Sequence, residues 1–338
     1  MTTDTTEVIP TAAGRGSPQG QGARKALGLV GQYGTLAGLV AMIVGFSLAA
    51  PRAFPTVSNF INILNQVSLT AIIAGGLTLP LAVGEFDLSI GYGASLAGVL
   101  VTGFMVNQRL PVLLAIAVAL LVGVAVGLVN GLIVTKAGVN ALITTLGTGT
   151  ILVGINYGYS AGTPIAQGLP PSFLNIALGS IVTIPSDVLI MAVVLVILWV
   201  LLNQTDLGQR IQAVGGNKEA ARLSGIRVDR VRTVAFVVSG VCAALTGILL
   251  ASLLGSGETS AGDSYLLDAF AAVFLGSATL RDGEFHILGT LVGVLIIGVG
   301  FNGLGIFGAP TFYQYVFKGA MLIVAVALST IARRYAKA

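Results

Sequence analysis

The chain has 338 residues, of which 55% are hydrophobic and 9% charged, with a mean hydropathy of +0.95. Soluble domains carry roughly 25% charged residues, so a water-facing surface of ordinary extent is excluded. The formal charge of +4 is too small to point to nucleic acid, and a single cysteine, Cys242, excludes an internal disulfide.

Residues 1–27, rich in Thr, Gly, Pro and Gln, read as a disordered tail that ends near the basic pair Arg24 and Lys25. They lack the short apolar core and cleavage site of a secretory signal. Beyond them come apolar runs near the ~20 residues that a spanning helix needs. Eight are free of charge: 29–50, 60–83, 88–106, 112–135, 139–160, 188–202, 233–254 and 287–307. Two more carry one charge each, 265–280 with Asp268 and 311–332 with Lys318. The predicted fold is an all-α polytopic membrane protein of ten transmembrane helices over 28–332, with a short tail at 333–338. The runs 188–202 and 265–280 are short and are expected to borrow flanking residues. Only Gly84-Glu85-Phe86-Asp87 separates the second run from the third, as a tight hairpin or a re-entrant turn.

Lys and Arg concentrate on the cytoplasmic side of a membrane protein. With the N-terminus inside, 14 of the 17 lie on that side, Arg52 and Arg109 lie outside, and Lys318 falls within a run. Both termini are then cytoplasmic. Two connections are long: an external one at 161–187 with four prolines, and a cytoplasmic one at 203–232 with six basic residues. Long loops between otherwise tight hairpins are where function concentrates.

Within the cytoplasmic loop, residues 217–225 predict a short helix. Asn217 is a good N-cap, Glu219 sits in the first turn, and Gly225 can close the C-terminus. So short a helix needs a docking surface. A solvated basic linker that only fixes topology is the alternative. Glu219-Ala220-Ala221, three residues and Gly225 resemble the EAA-loop signature of ATP-binding-cassette (ABC) importer permeases. Residues 208–226, GQRIQAVGGNKEAARLSGI, are similar to the corresponding stretch of the ribose and related sugar permeases. Residues 84–91 (GEFDLSIG), 141–150 (ALITTLGTGT) and 262–276 (GDSYLLDAFAAVFLG) resemble further segments of that family in the same order. The chain departs from many members at Gly84-Glu85-Phe86, where they carry two glycines and isoleucine. It departs again at 281–286, where they have a glycine-rich turn.

The resemblance covers residues 30–332 and implies the permease subunit of a bacterial ABC importer, related to the branched-chain amino acid permeases. The implied fold resembles the type II importers such as the cobalamin permease, with two inverted five-helix halves. Asn217, Glu219, Ala220, Ala221, Arg222 and Gly225 would form the coupling helix that meets a cytoplasmic ABC ATPase. The other implied partners are an extracytoplasmic sugar-binding protein and a second permease chain, identical or a close paralogue, in the inner membrane. No G-x-x-x-x-G-K-[ST] loop occurs, so no cofactor is expected in this chain, and ATP and Mg belong to the partner ATPase. The solute would be a monosaccharide, a polyol or a similar small polar molecule.

Charges inside spans are functional hypotheses by default. Asp268 and Lys318 are such residues and are candidates for a neutralising pair, against separate roles in helix capping and snorkelling. Asp87 and Asp268 open the third span of each half and are candidate pseudo-equivalents; Asp87 or Ser89 reads equally as an N-cap. Asn65, Gln66, Thr144, Thr145, Asn156, Asn302 and Gln314, with Asp87, are candidates for the solute pathway or gate, although helix–helix hydrogen bonds recruit the same residue types. His286 stands apart from other metal-ligand types and is assigned no chemistry or metal. A secondary transporter or channel that needs no ATPase is the alternative mechanism. An enzyme would need a cluster of His, Cys, Ser and acidic residues at one face, which the lone His and Cys do not supply.

Overall fold

The computed structural model describes residues 18–278 and 283–336, with side chains described over 34–278 and 283–327. Residues 1–17 of the expected tail and Arg281 lie outside the described residues, as do the side chains of Arg24, Lys25, Arg333 and Arg334. The elements in chain order are α1 (Pro18–Ala49), α2 (Val57–Ala82), α3 (Ile90–Val106), α4 (Val112–Lys136), α5 (Ala141–Ser160) and α6 (Pro171–Leu178). A two-stranded antiparallel hairpin follows, β1 (Ser180–Ile181) with β2 (Ile184–Pro185). Then come α7 (Ser186–Gln204), α8 (Asp206–Gly216), α9 (Lys218–Leu223), α10 (Val228–Leu254), α11 (Ser264–Ser277), α12 (Ile287–Ile306) and α13 (Thr311–Ala336).

Each of the ten apolar runs carries one helix. Among the described residues six of these, α2, α4, α5, α7, α10 and α12, are long and apolar enough to cross a membrane. The apolar parts of the other four, Gly34–Ala49, Ile90–Val106, Ser264–Ser277 and Thr311–Ala327, are shorter. The boundaries move for physical reasons. Pro18, whose fixed φ suits a first helical turn, starts α1 inside the expected tail. The run 188–202 borrows at both ends, and Pro185 precedes the first turn of α7, which takes in Asp187. The run 265–280 borrows nothing beyond Ser264, because α11 ends at Ser277. Both long loops fold locally: the one at 161–187 holds α6 and the hairpin, and the basic one holds α8, α9 and the start of α10.

The centre of the bundle is α2 and α10. Every residue from Val67 to Leu81 is buried, as expected of a helix that is apolar on all sides. α2 packs on α10 and also on α7, α11 and α12; α10 packs on α3 and α4. α4 turns most of its surface outward, with Leu113, Leu121 and Val129 exposed. Where α4 crosses α10, Gly123 and Gly240 let the backbones touch: a Cβ on either would meet the other's carbonyl oxygen. Small residues at such crossings replace the hydrophobic drive that lipid does not supply.

α3 and α11, at 17 and 14 residues, are short because the links before them run into the bundle. The α2–α3 link enters from the end that bears α8 and α9. Glu85 lies beside Arg232 of α10, and Asp87 lies beside Ser239. Seven residues separate those partners, a descent of about 10 Å at 1.5 Å per residue. The α10–α11 link enters from the opposite end. Gly257 touches α3 at Thr102, and Gly262 touches it at Gly91 and Ser95, a descent of about 15 Å. Of the two expectations for residues 84–87, the link's descent into the bundle accords with the re-entrant turn better than with a hairpin confined to one end. Residues 83–89 form a non-helical link with a turn at each end, and Val83, Glu85, Asp87 and Ser89 are buried in protein.

Gly123→Leu and Gly240→Leu are expected to destabilise the detergent-solubilised protein by at least the ~1–3 kcal/mol typical of overpacked cores. Gly45→Leu, whose Cβ would meet nothing within 4 Å, is the control. A thermal aggregation curve for the three variants checks this: the first two melt below the parent, and the control melts with it.

Candidate functional site

Two regions gather polar residues from distant parts of the chain. The first is at the α8–α9 end. Asn217 Oδ1 accepts from the N–H groups of Glu219 and Ala220, both at 3.0 Å, and so caps the start of α9. At its other end Gly225 has φ +82°, and Ile226 N–H reaches Ala221 O while Gly225 N–H reaches Arg222 O. This is a Schellman closure, which requires a residue that tolerates the left-handed region. Ala221 is buried against the membrane domain. Glu219, Ala220, Arg222 and Leu223 face away from it, and Leu223 is 88% exposed.

α9 is tied to the bundle by Glu85. Gly84, with φ +78°, ends α2 in the same Schellman pattern, with Glu85 N–H on Pro80 O and Gly84 N–H on Leu81 O. The Glu85 side chain is then held inward, 8% exposed. Its Oε1 accepts from Lys218 Nζ at 2.6 Å and from Arg232 Nε at 2.9 Å. A buried carboxylate needs such pairing. Nothing local in the sequence joins these three residues: Arg232 and Lys218 mark topology, Lys218 also within the short helix, and Glu85 falls in a turn.

The second region is where the two links meet. Asp87 is 1% exposed and has no cation within ion-pair distance among the described residues. Hydroxyls hold it instead. Ser89 N–H and Oγ donate to Oδ1 at 3.0 and 2.6 Å, and Ser239 Oγ donates to Oδ2 at 2.8 Å. Ser89 Oγ accepts in turn from Asn130 Nδ2 of α4 at 2.9 Å, and Thr145 Oγ1 of α5 accepts from Leu88 N–H at 3.0 Å. A narrow cavity between α3, α4 and α10 opens beside Asp87 and Ser89. From the other side, Asp263 at the start of α11 accepts from Ser95 Oγ at 2.7 Å, and Gly262 N–H donates to that hydroxyl. A Cβ on Gly91 would lie 3.0 Å from Gly262 O and 3.2 Å from Asp263 Cα, so the N-termini of α3 and α11 touch. Positive ends of helix dipoles favour nearby carboxylates.

The residue that opens α11 is therefore Asp263, not Asp268, which lies a turn inside the helix. Asp268 Oδ1 is 2.8 Å from Lys318 Nζ of α13, and that ammonium lies 5.8 Å from the centre of the Phe301 ring. Of the remaining pathway candidates, Asn65 Nδ2 donates to Asp187 Oδ1 at 3.1 Å, beside Ser68 Oγ on Asp187 Oδ2 at 2.7 Å. Asn302 and Asn59 exchange two amide bonds of 2.9 and 3.0 Å. Asn156 donates to Thr259 O of the α10–α11 link at 2.9 Å. Thr144 is buried, and its hydroxyl has no hydrogen-bond partner. Gln66 is exposed and Gln314 half-exposed. These residues do not converge on one cavity. Thr145, Asp87 and Asn156 attend the two links, whereas Asn65 and Asn302 fasten helices to each other. Asp187, Asn59 and Asn130 were missed because each is a polar residue whose partner is remote in sequence. His286 Nδ1 accepts from Gly289 N–H at 2.9 Å and caps α12. Among the described residues no three His, Cys, Asp or Glu side chains gather as metal ligands.

Residues 59–326 match the family described as branched-chain amino acid transport system / permease component. The chain is 41% identical over 302 residues to the ribose import permease protein of Bacillus subtilis, covering 89% of this chain and 93% of that one. It is 36% identical to the D-allose transport system permease protein of Escherichia coli K12, covering 89% and 92%. It is 35% identical to the L-arabinose transport system permease protein of the same strain, covering 87% and 89%. No solved structure matches it. With its buried helical bundle and a match that runs through both polar regions, the chain belongs to this family of multi-pass membrane permeases.

Proposed function

We propose that the chain is the translocation subunit of an ABC importer for a monosaccharide or a similar polyol, driven by an ATPase on a separate polypeptide. The observation that carries this is α9: a six-residue helix, capped at both ends, docked by one alanine and presenting the exposed Leu223 beside Glu219 and Arg222, which pair with each other at 3.4 Å. A large exposed apolar side chain next to charged ones suits a protein groove. The substrate class follows the ribose, allose and arabinose named for the relatives. An external binding protein and a second permease chain complete the assembly. The outward face of α5, where Gly147, Gly154 and Gly158 are open, suits close approach of that second chain.

The same reading takes all ten apolar helices as spans, in the inner membrane, with both termini and α8–α9 cytoplasmic. Of the four shorter ones, α3 and α11 count because they start inside the bundle, and Gly34–Ala49 and Thr311–Ala327 because they belong to the longer helices α1 and α13. Two inverted halves, α1–α5 and α7 with α10–α13, account for a set of exchanges. α10 packs on α3 and α4, as α2 packs on α11 and α12. Asn59–Asn302 fasten the start of α2 to the end of α12. Thr233–Thr135 and Asp229–Lys136, at 3.4 and 3.7 Å, fasten the start of α10 to the end of α4. The two links enter from opposite faces. Asn65, Gln66, Thr144, Thr145, Asn156, Asn302, Gln314 and Asp87 then divide between gate-forming contacts around the links and helix fasteners.

Two experiments bear on this reading. Leu223→Asp should weaken ATPase capture by about tenfold or more, the cost of losing one buried leucine. Gly225→Val should act likewise by straining the cap. Copurification of the ATPase with the tagged permease measures both, and D-ribose uptake that persists without any ATPase would favour the secondary-transporter alternative. For Asp268 and Lys318, breaking a buried pair costs ~3–5 kcal/mol. Asp268→Lys and Lys318→Asp should each abolish folded yield, and the double reversal should recover much of it; a double variant as poor as the singles would sink direct pairing.

A further inference from the structure

We propose that Glu85 is a positioning residue that ties α9 to the start of α3, so that displacement of α9 reaches the α2–α3 link rather than being absorbed by the loop. This rests on the reading of α9 as the ATPase contact. Three segments remote in sequence meet at one oxygen. Glu85 Oε1 lies 2.6 Å from Lys218 Nζ, the first residue of α9, and 2.7 Å from an Arg232 guanidinium nitrogen near the start of α10. Charge-assisted bonds of this length are roughly twice as strong as neutral ones. The carboxylate is 8% exposed and the Arg232 side chain 17%, so salt screens that pair little; the Lys218 side chain is 42% exposed, so its pair is screened more.

What lies beyond Glu85 makes the tie consequential. Within four residues the link is fastened to three helices: Asp87 to Ser239 of α10, Leu88 to Thr145 of α5, and Ser89 to Asn130 of α4. Phe86 stacks against Phe270 of α11, with ring centres 6.1 Å apart. A pull on Glu85 is therefore delivered at once to the helices that surround the N-terminus of α3. α9 itself has little other hold: Ala221 is its one buried residue. Gln at position 85 keeps the shape but leaves Lys218 and Arg232 facing each other without a counter-charge.

The test reads movement at the link, not solute uptake. Leu88→Cys, half-buried in the link, is made with Cys242→Ala, and the permease–ATPase complex is purified in nanodiscs. Maleimide labelling of Cys at 88 is compared with the ATPase nucleotide-free and trapped with ADP–vanadate. The parent complex should change its labelling rate by about fivefold or more between the two states, the lower range of coupling between distant sites. Glu85→Gln and Lys218→Met should each assemble and hydrolyse ATP yet lose that response, and the double variant should lose no more than either. Glu85→Asp, which keeps the charge with shorter reach, should keep part of it. A purely stabilising Glu85 would alter assembly or the resting rate but leave the nucleotide response intact. A full response in assembled Glu85→Gln, or losses that multiply in the double variant, overturns the tie. So does a parent complex whose link does not respond. Failure of the parent to capture an ATPase at all overturns instead the reading of α9.

Discussion

Every backbone N–H and C=O that enters a bilayer must find its partner within the protein. Helices meet this demand by themselves. The links at 83–89 and 255–263 do not, and the structure around them is arranged to supply what they lack. Thr145 accepts the Leu88 amide, Asp87 accepts the Ser89 amide, and Ser95 accepts the Gly262 amide. Ile165 and Gly257 exchange backbone bonds where the second link begins. Ser95 of α3, Thr145 of α5 and, through Asp87, Ser239 of α10 serve as the solvent of these two links. The same demand explains why α3 and α11 are short: each gives up its first turns to a non-helical approach.

Glu85 and Asp87 lie two residues apart and are stabilised by opposite means. Near the end of the bundle a carboxylate can be met by Lys218 and Arg232, whose long side chains reach in from the surface. About 10 Å deeper no such reach is available, and Asp87 depends on hydroxyl donors and on the N-terminus of α3. Asp263 repeats the second solution at α11 with Ser95. Small donors suit a place where elements must slide, because a hydroxyl re-forms its bond after a small shift, whereas a buried ion pair broken there would cost several kcal/mol. Among the described residues the one ion pair deep among the helices, Asp268–Lys318, lies away from the links and fastens α11 to α13.

The helices themselves were legible in the sequence because charge is so sparse that each apolar run is bounded by the residues that break it. The caps of α9 were legible for a different reason: Asn217 and Gly225 act on their own neighbours, so the signal is local. The links were not legible. Residues 83–89 and 255–263 contain glycine, apolar residues and a few acids, which also describe an ordinary surface turn, and what buries them is contributed by residues up to 168 positions away. Asp187 was set aside with the external loop because a run counted by charge must stop at a charge. In three dimensions Ser68 and Asn65 make that charge part of α7. Asp268 was paired with Asp87 by its place in a run, whereas helix starts are set by the backbone, which selects Asp263.

A helix of six residues has too few internal bonds to persist in water, so the conformation of α9 belongs to its surroundings. Two caps and a buried alanine define its shape, but they leave open how rigidly it is held. That is decided by whether its first residue is anchored. A free Lys218 would let the loop between α8 and α10 take up any displacement as backbone rotation, at little cost, since loops deform more readily than packed helices. A Lys218 held at 2.6 Å by a carboxylate that is itself fixed to α10 removes that slack at the end where α9 begins. The other end, past Gly225, runs within three residues into α10. With both ends bound to the same helix, α9 and the start of α10 can move only as one body, and the α2–α3 link, joined to both through Glu85, must follow.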